Sequence, residues 1–72
     1  QLNIVVNASR NSQFDVTVLD AMRRTVIYKN NLNYNLGDNK LTINVKHLIN
    51  GIYRINIKNN DGHKANKSWI KL

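Results

Sequence analysis

Few side chains in this 72-residue sequence could carry chemistry, and their spacing narrows what that chemistry can be. There are two histidines, His47 and His63, with no cysteine and no glutamate, so no tight zinc site is expected. Asn59-Asn60-Asp61-Gly62 has something of a calcium loop. The position two before Asn59 is Ile57, however, where a carboxylate is needed, and the bidentate Glu is absent. The only acidic side chains are Asp15, Asp20, Asp38 and Asp61, and no serine nucleophile motif accompanies them, so no enzyme, cofactor or metal is expected. Asn7-Ala8-Ser9 and Asn66-Lys67-Ser68 fit the glycosylation pattern. With fourteen Asn and six Ser or Thr, about one such match arises by chance, so the pair carries little weight.

Binding residues remain. Eleven Lys and Arg against four Asp give a net charge of +7, which raises nucleic acid and anionic membrane surfaces as partners. The lysines are dispersed at positions 29, 40, 46, 58, 64, 67 and 71, aromatics number five, and no ribonucleoprotein or zinc-finger pattern exists, so no nucleic acid partner is expected. The end of the sequence is more specific. Lys67, Trp69 and Lys71 alternate on one face of an extended strand, and Ile70 and Leu72 occupy the other. A terminal strand is a natural element for strand addition, and Trp is enriched at binding hot spots. The competing reading is a solvated edge strand whose lysines block edge-to-edge pairing. Period alone does not place both Trp69 and Ile70 inside; the expectation is that Ile70 and Leu72 anchor the strand to the core. Gly51 and Tyr53 form a second candidate corner. Their structural role would be a close backbone approach at Gly51 and a core-filling ring at Tyr53, with its hydroxyl at the rim.

The elements that must position these residues read as strands. Ile, Val, Thr and Tyr recur in short blocks, and Ala occurs three times. Leu2-Asn3-Ile4-Val5-Val6 is the first candidate. Phe14-Asp15-Val16-Thr17-Val18 alternates cleanly, and a turn is expected over residues 20–23. Residues 24–29 are apolar on both faces, which predicts a central strand. Residues 31–36 alternate as a short edge strand, followed by a Gly37-Asp38-Asn39 turn signal. Leu41-Thr42-Ile43-Asn44-Val45 and residues 52–58 alternate again, Asn59-Asn60-Asp61-Gly62 reads as a hairpin turn, and residues 64–72 can run as a last strand.

Asn50-Gly51 also looks like a two-residue hairpin turn. In that register Leu41, Ile43 and Val45 would share a face with Arg54, Asn56 and Lys58, which is poor. One helical turn over residues 46–50, with Leu48 plugging the core, lets the chain cross between two sheets instead. About seven short, mostly antiparallel strands then form an all-β sandwich. Its expected core is Phe14, Val16, Val18, Val26, Leu41, Ile43, Leu48, Tyr53, Ile55 and Ile57.

Three blocks carry a resemblance to a known family. The first is Val16-Thr17-Val18-Leu19-Asp20, a turn with a basic residue, and Thr25-Val26-Ile27. The second runs from Leu41-Thr42-Ile43 through Leu48-Ile49-Asn50-Gly51-Ile52-Tyr53 to Ile57, and the third is Lys67-Ser68-Trp69-Ile70-Lys71. Their order and spacing resemble the C-terminal sorting domain of the type IX (Por) secretion system, type A. The resemblance implies one Ig-like β-sandwich over residues 1–72, acting as a non-catalytic export signal at the end of a larger cargo.

It further implies recognition by an outer-membrane translocon and shuttle, removal by a surface sortase, and location at the surface of a Gram-negative bacterium. On that reading Gly51, Tyr53, Lys67, Trp69, Ile70, Lys71 and Leu72 face the partners. An Ig-like adhesion or carbohydrate-binding module is the alternative. No apolar run approaches 18 residues, so no membrane span is expected, and no signal peptide opens the sequence, as for an excised piece. Two departures stand out. The family's opening Pro-Asn-Pro is absent, which predicts an incomplete first strand. Arg23 stands where the family usually has Gly, so its turn must either place a non-Gly residue at positive φ or adopt another geometry.

Overall fold

A computed structural model describes residues 1–60 and 62–72. Among these residues six strands follow one another: β1 (Leu2–Ala8), β2 (Ser12–Leu19), β3 (Thr25–Tyr34), β4 (Gly37–Ile43), β5 (Gly51–Asn59) and β6 (Lys64–Lys71). They form two antiparallel sheets, a pair β1-β4 and a four-stranded sheet ordered β3-β2-β5-β6. The all-β sandwich is therefore as the sequence predicts, with six strands in place of seven.

The alternation in β2 and β5 explains their central places. Phe14, Val16 and Val18 point inward from β2, and Tyr53, Ile55 and Ile57 point inward from β5, all buried. Ile4, Ala8, Ile43 and Val45 close the core from the other sheet and its exit, joined by Leu48 and Tyr34. Each fully buried aliphatic side chain contributes roughly 1.5–3 kcal/mol relative to exposure, so this short list carries much of the stability. Val26 and Leu41, expected in the core, are only partly buried, whereas Ile4, Ala8, Tyr34 and Val45 complete it.

The missing seventh strand is explained by β3. The sequence splits it into a central strand and an edge strand; the structure runs it as one ten-residue edge strand. Opposite Phe14 and Val16 the register shifts by one residue, so the inward set changes from Ile27 and Lys29 to Leu32 and Tyr34. Asn31 sits there at φ 55°, a conformation Asn tolerates, and its N–H donates to Asp15 Oδ1 at 3.0 Å. A second shift leaves Val26 unpaired, which is why residues 26–28 look apolar on both faces. Gly37, expected in a turn, instead opens β4 at φ 103°. Asn39 Nδ2 ties the preceding bend by donating to the Asn35 carbonyl at 2.8 Å.

The β2–β3 turn is closed by Asp20. Its N–H donates to the Arg24 carbonyl and its carbonyl accepts from the Arg23 N–H, both at 2.9 Å, with Arg23 at φ 63°. This is a three-residue hairpin loop with a left-handed third position, normally glycine's place. Asp20 Oδ1 also accepts the N–H groups of Met22 and Arg24, and Oδ2 accepts from the Arg24 guanidinium at 2.8 Å. The Arg24 backbone N–H, more than its guanidinium, holds the Asp20 carboxyl below its usual value of 3.8, against a smaller opposing effect of desolvation.

The crossing from β4 to β5 connects the two sheets as expected, which excludes the Asn50-Gly51 hairpin. No helical turn forms over residues 46–50. The Leu48 N–H donates to the Val45 carbonyl at 3.0 Å, a plain turn, and that is enough to bury Leu48. The β5–β6 hairpin is closed by the Asn59 N–H on the His63 carbonyl at 3.0 Å, with Gly62 at φ 89°; Asp61 lies outside the described residues.

Candidate functional site

β6 pairs with β5 without a break, from Lys58 opposite Lys64 to Gly51 opposite Lys71. Directly opposed residues of an antiparallel pair share a face. Tyr53 must face the core, so its partner Trp69 faces it too. Their ring centroids lie 5.5 Å apart at 34°, and Trp69 packs, partly buried, against the core. Such aromatic pairs add about 0.5–1.5 kcal/mol beyond the area they bury.

The same parity turns Lys71 inward. Its Nζ donates to the carbonyls of Val45 at 2.9 Å, Lys46 at 3.3 Å and Leu48. Those carbonyls belong to the crossing, where no strand ladder can satisfy them, and an ammonium brings three donors to the three of them. The Tyr53 hydroxyl donates to a fourth, that of Ile49. Two side chains thus fasten the crossing to the four-stranded sheet. Lys67 shares the inward parity, opposite Ile55, yet remains exposed.

This reverses the expected orientation of the last strand. Ile70 and Leu72 do not anchor it; they are 59% and 97% exposed, because the register with Tyr53 assigns the inner face to Trp69 and Lys71. Gly51 also departs from its expected role. A Cβ added there meets nothing within 4 Å and its φ is not positive, so no close approach within this fold calls for glycine.

The seven candidate residues therefore separate into two groups at one end of the sheet. Tyr53, Trp69 and Lys71 build the frame. Gly51, Lys67, Ile70 and Leu72 lie outside it, free of that work. Beside them stand two residues that the sequence does not single out: Ile52, 60% exposed directly opposite Ile70, and Ile49, 82% exposed at the end of the crossing. Ile52 had a usable signal: once Tyr53 is inward, its neighbour on the strand must be outward. The Lys71 clamp had none, because its partners are main-chain carbonyls.

Among the described residues no group of three His, Cys, Asp or Glu comes together, and no helix is long and apolar enough to cross a membrane. What this end of the sheet offers is a regular strand edge beside exposed Ile52, Ile70 and Leu72, a surface suited to protein recognition. Compared with known families, residues 1–71 match the secretion system C-terminal sorting domain. No curated protein and no solved structure matches the chain.

Proposed function

The chain belongs to the secretion system C-terminal sorting domain family, and from that premise we propose that its last strand is the part read by the export machinery. Membership makes it a sorting signal for type IX secretion, from a family that is not one of enzymes, on a protein bound for the cell surface or the medium. We infer further that residues 1–72 act as one domain of type A, supported by the spacing of Leu48, Gly51 and Tyr53, and are joined to a cargo. An outer-membrane shuttle and translocon of a Gram-negative cell receive the domain, and a surface sortase removes it.

The observation that carries the terminal-strand reading is the exposure of Ile70 and Leu72 on a strand whose other face is fixed by Trp69 and Lys71. Exposed apolar side chains on a preorganised strand lower the ordering cost of docking. Gly51 fits the same role: a glycine that the fold does not need leaves backbone open to a partner.

The test is export of a fused passenger in its native secreting host. Ile70→Ser combined with Leu72→Ser is expected to abolish surface display while circular dichroism and thermal midpoint stay unchanged. Gly51→Ala is expected to fold normally and lower display. Truncating residues 71–72 would confuse the result, since it also removes the Lys71 clamp. Normal display of the folded double variant overturns the terminal-strand reading and moves the signal to the corner at Gly51 and Tyr53.

A further inference from the structure

The outer face of the four-stranded sheet, away from the core, is hollowed into an open trough of about 830 Å³. Its charge is unbalanced. Arg23, Arg54, Lys58 and Lys64 line it, against Asp15 and Asp20. Asp20 is paired with Arg24, so Asp15, which accepts the Asn31 N–H through one oxygen and stands opposite Lys58, is left as one carboxylate against Arg23, Arg54, Lys58 and Lys64. Among the described residues Lys58, Lys64 and Arg54 have no ion-pair partner.

Two further observations point to what the trough lacks. Lys58 and Lys64 stand directly opposite each other in the β5–β6 register; Asp15, opposite Lys58 on β2, offsets one of the two charges and leaves Lys64 with no opposite charge across from it. Asn56, two residues along the same face, has its Oδ1 shielded from solvent and without a hydrogen-bond partner. A shielded acceptor left unpaired calls for a donor. Asn66 opposite Asn56, Thr17 on β2 and Ser68 on β6 add short polar groups, and Tyr28, 57% exposed, supplies an aromatic ring on the β3 side.

We propose that this trough binds an acidic saccharide. A carboxylate on the sugar would sit between Lys58 and Lys64, and its hydroxyls would pair with the amides and hydroxyls of the face, one donating to Asn56 once the flanking side chains part. An anion without donor groups answers the lysines but not Asn56, and a neutral sugar does the reverse. A domain exported to the cell surface meets glycans there, and the trough lies on a different surface from the inner-face clamp of Trp69 and Lys71. The inference does not depend on which residues the export machinery reads.

The experiment is titration of the 72-residue chain with oligogalacturonate, followed by amide chemical shifts and thermal midpoint. Neutral dextran and poly-L-glutamate serve as comparison probes. Shifts are expected at Thr17, Tyr28, Asn56, Asn66 and Ser68, with at least tenfold weaker binding of both comparison probes. Lys58→Ala with Lys64→Ala should weaken oligogalacturonate at least tenfold and remove the rise in midpoint on adding ligand. Asn56→Ala should weaken it several-fold without changing charge. Equal binding of poly-L-glutamate to the same residues overturns the proposal in favour of an acidic peptide surface. Shifts outside the trough, or none at all, overturn it outright.

Discussion

The two edges of the four-stranded sheet are built in opposite ways. β3 is interrupted twice: Asn31 takes a left-handed conformation at one register shift, and Val26 is left unpaired at the other. β6 runs eight residues in unbroken register with β5. Bulges blunt an edge by twisting it away from any strand that might add to it, whereas a regular edge remains a template. Both strands contain lysines, so charge alone does not separate them. The irregularity does: one edge is blunted, and the other is left regular.

The largest expected effect tests whether the β6 edge depends on the crossing beneath it. Leu48→Ala should cost roughly 2–5 kcal/mol, enough to unfold much of the population of so small a domain. Urea unfolding measures the loss; a change under 1 kcal/mol would show that β6 stands without the crossing. Lys71→Met keeps the side-chain length and removes the three donors, leaving the Lys46 and Leu48 carbonyls without this partner and that of Val45 with the Leu48 N–H alone. A loss of about 1–3 kcal/mol is expected. Amide exchange should then speed up in β6 and the crossing while β3 keeps its protection; equal acceleration at both edges would erase the contrast.

Two smaller effects act at the β3 side. Arg23→Gly relieves the left-handed backbone at φ 63° and should stabilise by about 1 kcal/mol, read as a higher midpoint by calorimetry. Asp20 gives the smallest effect. Its folded-state value lies below its unfolded one, so its contribution is complete above the usual 3.8 and is lost as pH falls through the lower folded-state value. Asp20→Asn should therefore flatten the acid limb of the stability curve below about pH 4 and leave amide exchange in β6 unaltered.

What the sequence makes legible is local alternation. β2 and β5 read correctly because Phe14, Val16, Val18, Tyr53, Ile55 and Ile57 keep one parity throughout, and Asn59 and Gly62 carry the chemistry of a hairpin turn. β3 does not read as one strand because its inward set changes parity at Asn31, and parity is the only signal a strand emits. The orientation of β6 fails for a related reason. Trp69 and Ile70 are adjacent apolar residues, so hydrophobicity favours neither face, and an inward lysine opposes the usual rule. Register with Tyr53, a fact of pairing and not of composition, settles it. The sequence does not tell which of the seven candidates hold the fold together, and it passes over Ile49 and Ile52 beside them.

The Lys71 clamp also has a temporal side. The carbonyls it holds, at positions 45, 46 and 48, leave the ribosome more than twenty residues before Lys71 does. Until then the crossing has neither this clamp nor the neighbouring strand beside β5, and closure waits on a contact of high sequence separation. A chain that stops a few residues before Lys71 keeps nearly all of its core side chains and still lacks the fastening. Synthesis of Lys71 thereby fastens a crossing made much earlier, so that a product ended before it differs from one that includes it in rigidity as well as in length.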